Sequence, residues 1–239
     1  MLTESPNFRR GAFIAALVSF AVAFALWNIP QLGFLMYPFR LFVTFVHESG
    51  HGLAAILTGG RLEGFLVNAD GSGLARTVGG SLAVILPAGY IGAACFGAGL
   101  FYLTNTVQHT RVIAVVLGVL LLIVTLLYTG IFSLAGVVGI IGGLLLIALG
   151  WRGPRWLNLL VLNVLALLTA LHSILDLIFL INNTSASAMG VRNDAAAFSA
   201  AITPLVPPVL WAVLWAAIAL VVVGLAFYFS IVHPLVKRE

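Results

Sequence analysis

Apolar residues fall into long runs separated by short clusters of Gly, Pro, Asn and Arg, and this pattern divides the chain before any single residue is weighed. A bilayer core about 30 Å thick takes roughly 20 helical residues to cross, so about seven runs qualify as membrane spans. They cover residues 11–27, about 37–57, about 80–103, 111–128, 131–149, 157–181 and 209 to about 232. Pro30, Thr58-Gly59-Gly60, Thr129-Gly130 and Trp151-Arg152-Gly153-Pro154-Arg155-Trp156 mark breaks between them. Between the second and third runs the pattern changes. Residues 61–77 alternate in polarity around Asp70-Gly71, which predicts a β-hairpin. A polar loop from Asn182 to Asn193 precedes a short helix around 195–202 that Asp194 could cap. The predicted fold is an all-α polytopic membrane protein of about seven transmembrane helices with one small hairpin, forming a single membrane-embedded domain over residues 1–239.

Composition narrows the class further. The chain is 62% hydrophobic and only 8% charged, with a mean hydropathy of +1.17, a balance that a water-soluble domain could not hide from solvent. The net charge of +4 comes largely from Arg9, Arg10, Arg111, Arg152, Arg155, Lys237 and Arg238 near predicted helix ends. They read as headgroup anchors of a multi-pass protein, as in a cell membrane, and exclude a nucleic-acid surface. The single Cys95 can form no intrachain disulfide. Arg9 and Arg10 open the first run as they would a signal peptide, but no small-residue cleavage site follows, so a retained helix is expected.

Chemistry concentrates in the second run, as His47-Glu48-Ser49-Gly50-His51. On a helix, residues four apart share a face, so His47 and His51 can offer two imidazole nitrogens to one metal ion with Glu48 beside them. A chance spacing within a satisfied polar cluster is the competing explanation. The chain has only 5 His and 7 acidic residues, however, and three of them fall within five positions of an apolar segment. Each costs about 2.5 to 3.5 kcal/mol in a membrane helix, which calls for a partner such as a metal ion. Catalytic zinc sites commonly use three protein ligands and leave one position for water. Beyond Glu48, the ionisable groups deep in apolar runs are His172 and Asp176, whereas His109 and His233 lie at segment ends. Three spans separate the second and sixth runs, so alternation points both the same way and brings Asp176 to the depth of His47 and His51.

With these residues the chain resembles the site-2 protease family of intramembrane zinc metallopeptidases, in a minimal branch without a PDZ domain. The resemblance rests on the His47 to His51 motif in a membrane helix, the Gly-rich hairpin after it, and Leu175-Asp176 in a late helix, where Leu177 follows in place of the family's usual Gly. It implies zinc bound by His47, His51 and Asp176, with Glu48 activating water to hydrolyse peptide bonds of transmembrane protein substrates. A non-proteolytic zinc protein that binds a partner's transmembrane helix is the alternative. A fourth ligand from His172 would mark it. His172 otherwise reads as a hydrogen-bond partner of Asp176 or a core histidine bonded to a carbonyl. Asn182, Asn183, Arg192 and Asp194 read as loop and capping residues or as the lining of a substrate entrance. Seven alternating spans put the chain ends on opposite sides, and the resemblance places the hairpin and the N-terminus toward the cytoplasm.

Overall fold

A computed structural model describes residues 6–182 and 193–236. Among them the helices are α1 (Pro6–Asn28), α2 (Gly33–Leu57), α3 (Leu82–Thr106), α4 (Thr110–Tyr128), α5 (Leu134–Arg152), α6 (Arg155–Asn182), α7 (Asp194–Ile202), α8 (Pro208–Phe227) and the short α9 (His233–Val236). Strands β1 (Arg61–Val67) and β2 (Gly73–Val78) form the predicted hairpin. It is antiparallel from Arg61↔Val78 to Val67↔Gly73, with an irregularity between Leu62 and Gly64. α1, α3, α4, α5, α6 and α8 are each long and apolar enough to cross a membrane. α2, with 25 residues, matches α3 in length but carries Arg40, His47, Glu48 and His51.

Local chemistry explains several boundaries. Ser133 caps α5 by accepting from the Gly136 backbone N–H (3.0 Å). Pro208 starts α8, where its missing N–H costs nothing. α4 and α5 approach closely because Gly118 meets Gly143 and Ile147, while Gly139 meets Thr125.

Specific contacts fix the directions of the helices. α3 and α6 are antiparallel: Ser173 Oγ donates to the Tyr90 carbonyl (2.6 Å), Gly97 backs onto Ala166 and Ala170, and Asn105 Nδ2 donates to Asn163 Oδ1 (2.6 Å). α2 is antiparallel to α3, with Phe42 on Phe96, Gly50 on Ala88 and Ala55 near Ile85. α2 and α6 therefore run the same way, as alternation predicts.

α1 departs from that alternation. Phe8 packs with Leu159, Ala23 and Leu26 pack with Val164 and Leu168, and Trp27 lies against His172, so α1 also runs with α6. α8 runs the other way, from Trp215 beside Tyr90 to Phe227 beside Phe101. The start of α1 and the end of α8 consequently share one end of the bundle, which corrects the expectation of opposite sides. The cause is local. The tight turn Pro30–Leu32 returns the chain inside the bundle, and α2 starts beside Leu168, where Met36 and Phe39 pack, before descending toward the far end. Arg9, Arg10, Arg111, Arg152 and Arg155 gather at the shared end of α1 and α8. Asn183, Arg192, Lys237 and Arg238 lie outside the described residues.

Candidate metal centre

The apolar face of α2 buries Leu41, Phe42, Phe45 and Val46 in the bundle, and the histidines one turn further on face α3 and α7. His47 Nε2 and His51 Nε2 lie 3.1 Å apart. The His51 ring is oriented by its other nitrogen, since Nδ1–H donates to the Ile85 carbonyl (2.7 Å), which leaves Nε2 as the lone-pair nitrogen. The His47 ring packs edge-on against Tyr90, with centroids 4.6 Å apart.

The carboxylate beside this pair is Asp194. Its Oδ2 lies 3.6 Å from His47 Nε2 and 3.5 Å from His51 Nε2, and these three residues form the group able to hold a metal ion among the described residues. α7 holds it there. Ala195, Phe198 and Ser199 are buried at helical spacing, with Phe198 against Trp211 and Trp215. The cap of α7 is Asn193, which accepts from the Ala196 N–H (2.8 Å) and leaves the Asp194 carboxylate free to face the histidines.

Asp176, the expected third ligand, is not the carboxylate brought to the triangle. It lines the same cavity, with His172, His47 and Arg40 as its ionisable neighbours, while Asp194 is the carboxylate within 3.6 Å of both imidazoles. His172 is also apart from the triangle: its Nδ1 lies 3.1 Å from the Leu168 carbonyl and its ring packs on Trp27. The capping role expected of Asp194 belongs instead to its neighbour Asn193, which frees the Asp194 carboxylate for the histidines. The available signal was the pair Asn193-Asp194, which offers two candidate caps for one helix start and so leaves one carboxylate unexplained.

The donors suit zinc. A tetrahedral ion with bonds of about 2.0–2.1 Å has ligand atoms about 3.3–3.4 Å apart, and the edges of the triangle straddle that separation. Gly89 backs the site, and a Cβ there would overlap both Nε2 atoms. Glu48 is only 5% exposed and lies in the wall of the same cavity, of about 590 Å³, where it faces the Ala75 backbone amide. A Cβ at Gly73 would overlap its carboxylate.

The chain matches the peptidase M50B-like family over residues 15–226. It belongs to that family. The M50B-like peptidases are zinc metallopeptidases of the site-2 protease type, so the chain is a multi-pass intramembrane protein of metallopeptidase kind, with lipid around it and membrane proteins as its class of substrate. No curated protein and no solved structure matches it.

Proposed function

We propose that this M50B-like chain is a zinc endopeptidase of the cell membrane that hydrolyses peptide bonds of transmembrane proteins. His47, His51 and Asp194 would hold the zinc, and Glu48 would serve as general base. When bound, zinc supplies a Lewis acid that lowers the pKa of its water toward about 7. Glu48 would take that water's proton as the carbonyl is attacked and return it to the leaving amine.

The observation that carries this reading is the shared cavity, which brings the buried Glu48 carboxylate, the three-atom triangle and β2 to one wall. The place of His172, outside the triangle, supports an open fourth position rather than a closed structural site. Helical backbone is shielded by its own hydrogen bonds, so a substrate must be drawn out before it can be cut. Gly73, Ala75 and Thr77 of β2 line the cavity, and an extended segment could pair along that edge.

Purified protein should hold about one zinc per chain. Glu48→Gln should keep the metal and lose cleavage of a membrane-inserted reporter. Retained cleavage removes Glu48 from its role, and metal-free wild-type protein sinks the zinc reading.

A further inference from the structure

Three side chains on one face of α2 hold three consecutive carbonyls of the hairpin turn. Tyr37 Oη donates to the Ala69 oxygen (3.0 Å), Arg40 Nη2 donates to the Asp70 oxygen, and Thr44 Oγ1 donates to the Gly71 oxygen (2.7 Å). The spacing of three and then four residues keeps all three donors on one helix face. Four residues beyond Thr44 comes Glu48, set against Gly73 and the Ala75 amide. One stripe of α2 thus meets the hairpin at residues 69, 70, 71 and 73 in order.

The turn is braced separately from this stripe. Asp70 Oδ1 accepts from the Ser72 N–H (2.9 Å) and hydroxyl (2.7 Å), which also holds the Asp70 carboxyl below its usual range. Asn68 N–H donates to the Ser72 oxygen (2.8 Å). Those bonds fix the shape of the turn but not where it sits on α2. Two-stranded hairpins are marginal alone. β1 is seated on α2 by Phe65 against Phe45 and Leu62 against Gly52, whereas β2, with every second residue exposed and Gly71 and Gly73 at its start, has no buried apolar face to hold its turn end in place.

We infer that Tyr37, Arg40 and Thr44 are positioning residues that index β2 against Glu48 and the metal triangle, and so determine which bond of a strand-paired substrate is cut. The inference rests on the proposed peptidase function. Sliding β2 along α2 would carry a paired substrate with it. Because side chains alternate along a strand, the favoured slips are of two residues.

The test uses full-length protein with Cys95→Ala, a membrane-inserted reporter and mass-spectrometric mapping of its ends. Tyr37→Phe/Thr44→Val should retain zinc, cut at the original bond and at bonds two residues away, and show a roughly five- to tenfold higher KM, the equivalent of one to two hydrogen bonds lost. Arg40→Lys, whose ammonium can still donate to the Asp70 oxygen, should retain more of the single-site pattern than Arg40→Met, which has no donor. Cleavage of the original bond alone in the double variant, or activity lost in step with zinc, overturns the inference.

A second arm does not depend on turnover. In the Glu48→Gln background, Leu74→Cys is cross-linked to reporters with single cysteines scanned along the cleaved segment. One reactive position with the stripe intact and several in the double variant support indexing. The same single position in both, or no cross-link at all, overturns it. Persistent cleavage by Glu48→Gln would instead overturn the catalytic role, and the cross-linking result would still decide the indexing.

Discussion

The α2–hairpin–α7 region and the α4–α5 pair pack their elements together by opposite means. α4 and α5 meet through glycines, with Gly118 on Gly143 and Gly139 on Thr125, and place no ionisable group between them. α2 instead brings an arginine, two histidines and a glutamate to its partners, and each partner answers with a carbonyl, an amide or a carboxylate. In the apolar core of a bilayer a glycine seam gains dispersion contacts at no polar cost. A polar seam is tolerable only when its groups are matched one to one. Changes in the first seam should therefore register as stability, and changes in the second as chemistry.

The sharpest test of that division is Asp194→Ala against Asp176→Ala. The first removes a ligand while Asn193 still caps α7, and should abolish zinc retention during purification and all cleavage. The second should leave zinc at about one per chain by metal analysis. Equal zinc loss in both would return Asp176 to the ligand set.

Gly89→Ala is the next largest. Its Cβ would press on both Nε2 atoms, so zinc affinity should fall by roughly ten- to a hundredfold, the scale on which perturbing a ligand's support acts. Thermal stability should move little.

On the other seam, Gly139→Ala drives a Cβ into Thr125 and should cost about 1–3 kcal/mol of stability, read as a lower melting temperature in detergent with zinc content unchanged. Ser133→Ala, which removes the cap of α5, should cost about 1 kcal/mol by the same measurement, again without effect on the metal.

Much of this division was legible along the chain, for reasons that also mark its limits. His47, Glu48 and His51 stand out because three ionisable groups share five positions of an apolar run, and the hairpin because Asp70-Gly71 breaks an alternating stretch. Both signals are local. Asp194 reaches the histidines only because α7 is pinned by Phe198 between Trp211 and Trp215, a packing event that no spacing records. The direction of α1 was lost for a related reason. Hydropathy reveals that a segment is long enough to span, but Pro30–Leu32 turns the chain within the bundle, so a count of spans does not yield their directions.

The amide pair between Asn105 and Asn163 bears on the metal centre from far along α3. Asn105 Nδ2 also donates to the Phe101 oxygen, and Asn163 Nδ2 to the Leu159 oxygen, so the two side chains satisfy each other and their own helices in apolar surroundings. Sliding α3 along α6 by one turn, about 5.4 Å, would strand both amides without water to replace the lost partner. With α2 kept in place on α6, the same slip would carry Gly89 off the imidazoles and, in one direction, bring Ile85 and Leu86 up to them. The pair acts as a dowel, sixteen residues along α3 from Gly89, that resists axial travel of α3 on α6.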